Sequence, residues 1–207
     1  MSPPRTPWPA RATSLAAALL CAACALAPAL PPPAVYSLAP QPPTPPAAAG
    51  GDAAAPALQV DAVPWLDGTA MRYRLDYADP ARLWSFRDSR WAAPPAALLA
   101  ERLQDRALRA AATGPSQAPA PLPAARPPLL RLTLEEFCQD FDTPAHSRAV
   151  LRLRARLLDP ADGRVLRQHR FAVEVAAPSA DARGGVEALS RAADTAIDQV
   201  LAWAGPG

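Results

Sequence analysis

Apolar residues alternate with arginines over most of positions 149–157, and this pattern constrains the fold more than any other feature of the chain. The apolar set is Ala149, Leu151, Leu153, Ala155 and Leu157, and the arginines between them are Arg152, Arg154 and Arg156. Successive side chains of a β-strand point to opposite faces of a sheet. The segment is therefore predicted to be a strand with one buried face and one solvated face, as is common in antiparallel sheets.

Other segments show the same period of two and are also predicted to be strands. They are Leu58–Ala62, Met71–Leu75, Leu130–Leu134 and Val165–Val175, with a shorter apolar run at Leu83–Phe86. The turn signal Asp162-Gly163 predicts a hairpin closed by a loop of residues 159–163. In that register Leu151 lies opposite Phe171.

Two segments have helical periodicity. The first is predicted to open at Pro95, because proline is tolerated in the first turn of a helix, and the second to begin between Ala180 and Glu187. Their apolar stripes are Leu99, Leu103, Ala107 and Ala110 in the first, and Val186, Leu189, Ala193, Ile197 and Val200 in the second. The order of elements predicts an α/β fold: a mixed β-sheet with amphipathic helices packed on it, in a single compact domain over residues 57–204.

Proline confines this domain to the C-terminal part of the chain. Of the 28 prolines, 14 precede residue 57, and residues 12–51 carry no charge. We therefore expect residues 24–56 to form an extended Pro/Ala-rich tether, in which residues 34–38 could add a short strand to the sheet. Six prolines between Pro115 and Pro128 predict a surface loop.

The N-terminus has the layout of a cleavable export signal. Two arginines come before an apolar stretch that opens at Leu15, and small residues stand directly before Cys24. This arrangement resembles a bacterial lipobox, in which the cysteine is acylated and becomes the first residue of the mature protein. Residues 1–23 would then be the signal peptide and Cys24 the lipidation site. Ala25, in place of aspartate, would direct the lipoprotein to the outer membrane.

Other interpretations of this segment stay open. A transmembrane helix needs about 20 apolar residues, and Pro28 interrupts the run too early. An ordinary secretory signal without acylation is a second alternative. A redox motif formed by Cys21 and Cys24 is the third, but their apolar neighbours give no electropositive setting for a reactive thiolate.

Composition excludes several classes of function. All 21 basic residues are arginine, so neither a P-loop nor a Schiff-base nucleophile can be present, since both need lysine. Cleavage after residue 23 would remove two arginines and leave 19 against 19 acidic residues. The mature protein would have no overall basic charge for nucleic acid. With Cys24 acylated, Cys138 would have no partner for an intramolecular disulfide.

Candidate catalytic and metal-binding residues do not form a recognisable constellation. Cys138 and His146 could make a thiol–imidazole pair, but Cys138 is predicted to lie at a strand end as a small hydrophobic residue. Four acidic residues lack the spacing of a calcium loop and are predicted to be solvated at a strand end. They are Glu135, Glu136, Asp140 and Asp142. No enzymatic activity, metal ion or cofactor is therefore expected.

The arginines of the alternating strand allow two interpretations. Arg152, Arg154 and Arg156 are either a solvated strand face or a surface that binds anionic lipid headgroups or an acidic partner. The sequence alone leaves both open.

Several segments resemble the ABC-type transport auxiliary lipoproteins, a family that includes the paraquat-inducible protein C type. They are Tyr36-Ser37-Leu38, Val60 through Gly68, Tyr73-Arg74, Ser89-Arg90-Trp91, Pro94-Pro95, Leu134 through Phe137, Phe141, Gly163, Phe171 and the Asp181–Gly185 turn. The resemblance covers nearly the whole mature chain and depends on the order and spacing of these segments. Trp91, Pro94 and Pro95 form its structural signature, and Trp91 is predicted to pack where the first helix meets the sheet.

This resemblance implies an α/β domain anchored by lipid to the periplasmic face of the outer membrane. The domain would serve a transporter whose ATPase and permease lie in the inner membrane, with a periplasmic lipid carrier of the mammalian-cell-entry type between them. The implied role is to dock that carrier during intermembrane (phospho)lipid transport, as a single copy or as a homo-oligomeric ring. Two other classes stay open: an outer-membrane assembly or cell-wall scaffold lipoprotein, and a secreted hydrolase.

Overall fold

The computed structural model describes residues 31–40, 57–113 and 128–205, with side chains as far as Arg109 in the second range. The strands are β1 (Ala34–Tyr36), β2 (Leu58–Ala62), β3 (Ala70–Leu75), β4 (Asp79–Trp91), β5 (Leu129–Thr143), β6 (His146–Leu158) and β7 (Val165–Ala176). The helices are α1 (Pro95–Thr113) and α2 (Ala182–Ala204), and a 3₁₀ helix spans Pro64–Leu66. The predicted signal peptide, Cys24, most of the predicted tether and the loop of residues 115–127 lie outside the described residues.

The strands of the described chain form one mixed sheet in the order β1-β4-β3-β5-β6-β7, with β2 also beside β5. Strands β2 and β3 share one edge of β5 and both run parallel to it. The 3₁₀ helix between them lets the chain step along that edge, and the Val63 amide donates to the Leu134 carbonyl at 3.0 Å. Strand β1, within the segment where a short strand was predicted, pairs in parallel with the end of β4.

Both helices contribute to a single hydrophobic core with the sheet, which confirms the predicted α/β fold and its one compact domain. The most completely buried members include Leu99 and Leu103 of α1, Leu134 of β5, and Ile197 and Val200 of α2. The two helices run in the same direction, because Arg102 pairs with Asp194 and, one turn on, Arg106 pairs with Asp198. Helix α2 begins at Ala182, within the predicted interval, and the Asp181 carboxylate caps it by accepting from the Gly184 amide at 2.7 Å.

A β-bulge at Glu135 reverses which residues of β5 face the helices. Leu134 lies opposite Leu153, whereas Glu136 lies opposite Arg152, so β5 contains one residue more than β6 at this point. Before the bulge Leu130, Leu132 and Leu134 enter the core, and after it Phe137 and Phe141 do. Glu136, Cys138 and Asp140 consequently lie on the face of the sheet away from the helices.

The predicted register of the β6–β7 hairpin is wrong by two residues. Leu151 lies opposite Val173, and Phe171 instead faces Leu153. The loop spans residues 159–164, one residue longer than predicted, and the register also shifts once between Leu157 and Leu158. The loop is closed by the Asp159 amide donating to the Arg164 carbonyl at 2.8 Å. Gly163 has φ of 72°, in the left-handed region that glycine adopts readily.

The residues between β4 and α1 lie against the core. Strand β4 is longer than the predicted run and ends at Trp91, whose side chain is 1 % exposed and whose ring centroid lies 5.4 Å from that of Phe137. Helix α1 begins at Pro95, as predicted, and the Pro94 carbonyl accepts from the Ala97 amide at 2.9 Å. Trp91 therefore packs where the sheet passes into α1.

Candidate functional site

The face of the sheet away from the helices carries most of the charged side chains that β3, β5, β6 and β7 place close together. We call it the charged face. One half of it, the acidic half, contains Arg74, Arg148 and Arg152 with the carboxylates Asp76, Glu136, Asp140, Asp142 and Glu174. The other half contains Arg131, Arg154, Arg156 and Arg170, which we call the arginine patch, with the carboxylates Asp61 and Glu135.

The centre of the acidic half is a buried cluster on β5. Glu136 and Asp140 are each 5 % exposed, and Cys138 between them is fully buried. Arg74 of β3 forms an ion pair with Glu136 and places Nη1 3.4 Å from both Cys138 Sγ and Asp140 Oδ2. The prediction that these acidic residues are solvated at a strand end is wrong for Glu136 and Asp140, and Cys138 likewise lies in mid-strand. The reason is that β5 continues through the Glu135 bulge to Thr143.

Burial sets the protonation of this cluster. Desolvation raises the pKa of the Cys138 thiol far above its ordinary value, and the neighbouring Asp140 carboxylate raises it further. The Cys138 thiol donates to Asp140 Oδ1 at 3.1 Å. Desolvation also raises the pKa of Asp140, although the hydrogen bond from Cys138 and the charge of Arg74 oppose that shift. The thiol is therefore a protonated donor, which makes it a poor nucleophile.

The same three β5 residues have the ligand types of a metal site. One ligand atom from each of Glu136, Cys138 and Asp140 lies within 4.8 Å of the others. The Arg74 guanidinium, however, contacts all three and supplies a positive charge at that position. We interpret the cluster as a buried ion-pair network that joins β3 to β5.

Arg148 completes the acidic half at its outer end. Its guanidinium pairs with Asp76 at 3.0 Å, with Glu174 at 3.1 Å and with Asp142. These contacts connect the loop after β3, the end of β5 and the end of β7. Carboxylates outnumber arginines in this half, so its net charge is negative when all its carboxylates are ionised.

The three arginines singled out from the sequence differ in their surroundings. Arg152 pairs with Glu136 at 2.6 Å and belongs to the acidic half. Arg154 donates from Nε to Glu135 at 2.7 Å. Arg156 has no acidic partner among the residues that the structure describes, and its buried Nε has no hydrogen-bond partner there.

Strand register brings the members of the arginine patch together in two adjacent rows. Arg131 of β5 lies opposite Arg156, and Arg154 lies opposite Arg170 of β7. Like charges directly opposite each other in a sheet are destabilising. Within the patch, Glu135 serves both Arg154 and Arg170, the latter at 3.7 Å.

A pocket of about 400 Å³ opens beside these rows. It is lined by Arg154, Gln168, His169 and Arg170. Gln168 is the register partner of Arg156, so that arginine lies on the same face directly next to the pocket. The pocket thus combines cationic and amide donors at the edge of the sheet formed by β7.

The two histidines have other surroundings. His146 contacts Thr143 at the turn between β5 and β6, whereas Cys138 pairs with Val150 in the middle of the sheet. The structure therefore does not bring Cys138 and His146 together. The His169 ring packs against Phe171, with centroids 4.6 Å apart, and lies near Trp203 of α2.

Sequence reasoning missed Arg74 and the partners Arg131 and Arg170. Arg74 was quoted only as part of a family segment, and its contact with β5 depends on parallel pairing between strands more than 60 residues apart. A signal for the bulge was present, because Glu135 and Glu136 interrupt the alternation of Leu130 through Leu134 without ending the apolar pattern at Phe137.

Comparisons with known proteins agree with this fold. The family model for the ABC-type transport auxiliary lipoprotein component matches residues 36–201. A crystal structure of a Xanthomonas campestris protein, assigned to family DUF330, is similar with a TM-score of 0.61 and 20 % identity, over 82 % of this chain and 93 % of that chain. A second crystal structure, of a protein described as uncharacterized, has a TM-score of 0.60 and 16 % identity, over 84 % of this chain and 99 % of that chain.

At these identities the two crystal structures show likeness of fold alone. No curated protein sequence matches the chain. Within the described residues, none of the helices has the length and apolar character needed to cross a membrane.

Proposed function

The chain belongs to the ABC-type transport auxiliary lipoprotein family, and we propose that it is an outer-membrane-anchored periplasmic component of an intermembrane phospholipid transporter. Its role in this proposal is to dock a periplasmic carrier of the mammalian-cell-entry type. Through that carrier it would act with an inner-membrane permease and ATPase. The family match covers α1, α2 as far as Leu201, and all the described strands except the first two residues of β1. This match is the observation that carries the proposal.

The chemistry of the described residues supports a role in binding rather than catalysis. The buried Cys138 thiol has a raised pKa and donates a hydrogen bond to Asp140. It also lies away from His146. The charged side chains of β3, β5 and β6 are largely engaged in ion pairs with one another. We therefore propose that the protein is not an enzyme and that its surfaces hold partners in place.

The N-terminal segment suits this role. Acylation at Cys24 would anchor the chain, and because β1 joins the sheet at Ala34, residues 24–33 at about 3 Å each would allow the domain to lie up to about 30 Å from the membrane. A carrier that spans the periplasm could be met at that distance. Several anchored copies could form a ring around it, which would multiply weak contacts by raising their effective concentration.

Photocrosslinking in whole cells tests the proposed partner. A photoreactive residue would replace Leu166 on β7, which is 42 % exposed, or Leu108 on α1, which is 55 % exposed. We expect crosslinks to a mammalian-cell-entry-type carrier from at least one position. Comparing the two positions shows whether the sheet edge or the helical layer makes the contact.

The control is the same chain with Cys24→Ser, which is expected to remain unprocessed and to lose contacts that require the anchor. Recovery of only cell-wall or outer-membrane assembly factors, without any transporter component, would contradict the transport proposal. That result would favour the scaffold alternative instead.

A further inference from the structure

We propose that the arginine patch, together with the pocket beside it, is a binding site for a phosphate group. The four arginines of the patch have two nearby carboxylates, Asp61 and Glu135, which leaves two positive charges uncompensated. The arginine patch would bind phosphate whether or not the protein takes part in lipid transport. Only the assignment of that phosphate to a phospholipid headgroup rests on the proposed function.

Arg156 is the residue that gives the patch its capacity to bind. It has no acidic partner in the described chain, and its Nε–H finds no acceptor there. A buried donor without an acceptor destabilises the folded state. Because Arg156 forms no ion pair, its side chain can turn toward an anion without losing one, and it gains charge-assisted hydrogen bonds when it does.

Arg154 and Arg170 provide the second part of the site. They lie directly opposite each other across β6 and β7 and share the Glu135 carboxylate, which pairs with Arg170 only at 3.7 Å. An anion between them would relieve the repulsion between two facing guanidinium groups. The planar guanidinium matches the geometry of phosphate oxygens better than an ammonium group would.

The pocket supplies the space and a neutral donor. Its volume of about 400 Å³ lies within the range of about 300–1,000 Å³ that is usual for small-molecule sites. Gln168 lines it next to Arg156, and its side-chain amide can donate to a phosphate oxygen. The pocket lies at the edge of the sheet, so a headgroup could enter while its acyl chains stay outside.

The acidic half of the charged face explains why phosphate would bind only at the arginine patch. Arg148 is surrounded by three carboxylates, and Arg152 pairs with Glu136. An anion approaching there would meet excess negative charge. The separation of charge along the sheet therefore directs a phosphate to the arginine patch.

Isothermal titration calorimetry on the full chain, purified in a nonionic detergent at low salt, tests this site. The two probes are inorganic phosphate and glycerophosphoglycerol, the soluble phosphodiester headgroup of phosphatidylglycerol. We expect saturable binding that weakens with added NaCl and that Arg156→Gln weakens about tenfold or more, as loss of a charge-assisted hydrogen bond requires. Arg87→Gln is the matched control, since Arg87 is exposed on β4 and its ion-pair partner among the described residues is its neighbour Asp88.

The two probes distinguish the source of the phosphate. Preference for the phosphodiester supports a lipid headgroup, and preference for inorganic phosphate supports a free phosphate or phosphomonoester. Arg170→Gln, at a side chain that is 72 % exposed, gives a second variant if Arg156→Gln does not fold. Absence of binding by both probes, or binding that these variants and Arg87→Gln affect equally, would overturn the site. Neither outcome bears on the carrier crosslinks, so the two proposals fail separately.

Discussion

Replacing Arg74 by methionine should destabilise the protein strongly, because this side chain is the main countercharge of the buried cluster on β5. The substitution keeps the apolar stem and removes the guanidinium from Glu136, Cys138 and Asp140. Removing one partner of a buried ion pair typically costs about 3–5 kcal/mol. Glu136 keeps its contact with Arg152 at 2.6 Å, which places our expectation at about 3 kcal/mol, the lower end of that range.

Urea unfolding followed by circular dichroism measures this loss. With a slope of about 2 kcal/mol per molar, which is usual for a domain of this size, the midpoint should fall by about 1.5 M. Arg87→Met is the control, because its ion pair with Asp88 has both side chains largely in solvent and exposed pairs contribute little. Its midpoint should not change measurably.

The pH dependence of the stability lost in the Arg74→Met variant identifies the cause of that loss. Asp140 already has a raised pKa, and removal of Arg74 takes away a charge that lowers it. The native state of the variant should therefore bind a proton at Asp140 more tightly than the unfolded chain does, so acidification favours the native state. The destabilisation caused by the ionised Asp140 carboxylate is fully present above the raised pKa of Asp140 in the folded variant. It is lost as the pH falls to the ordinary pKa of an aspartate. The difference between the variant and the wild type should accordingly narrow between pH 7 and pH 4.

A penalty that stays constant across this pH range would show that lost packing, and not the uncompensated carboxylate, causes the destabilisation. A midpoint within error of the wild type at pH 7 would refute the reasoning entirely. In that case water, not Arg74, would be satisfying the β5 carboxylates.

Three further predictions concern packing and the anchor. Trp91→Ala should lower stability by about 3–5 kcal/mol, as is usual when a buried large aromatic is truncated, and an unchanged thermal midpoint would contradict its burial. Gly184→Ala should cost about 1–3 kcal/mol, because the new Cβ would lie 2.2 Å from the Ser179 carbonyl oxygen, a backbone atom; Gly68→Ala, which has open space around it, is the control in the same unfolding assay. Cys24→Ser should block acylation and processing, and mass spectrometry that finds an unmodified mature terminus at another residue would remove the anchor.

The elements that depend on local pattern could be predicted from the sequence. The start of α1 at Pro95, the stripe of α2 and the alternating strand around Leu151 each follow from a periodicity contained within one segment. The register of β6 and β7 could not be predicted in this way. It depends on a loop of residues 159–164 and a shift at Leu158, and neither changes the period of two on which the prediction was based.

The charged face was predictable only in part. Alternation placed Arg152, Arg154 and Arg156 on a face away from the core, and the structure agrees with that orientation. The carboxylates that pair with Arg152 and Arg154 come from β5, so which of these arginines is neutralised depends on the register between β5 and β6. The pairing of Arg74 with β5 depends also on parallel strand order, which no local pattern encodes.

The single extra residue at Glu135 connects the two halves of this face. Without the bulge, the alternation of Leu130, Leu132 and Leu134 would continue and carry Glu136 and Asp140 into the core beneath the helices. With it, those carboxylates turn toward Arg74 and Arg152, and Phe137 takes the core position against Trp91. Glu135 lies on the same face as Arg131 and Thr133, so it also reaches Arg154 and Arg170, where one carboxylate serves two arginines. The bulge therefore keeps the Glu136 and Asp140 carboxylates out of the core and places them on the charged face, where they form the centre of the acidic half.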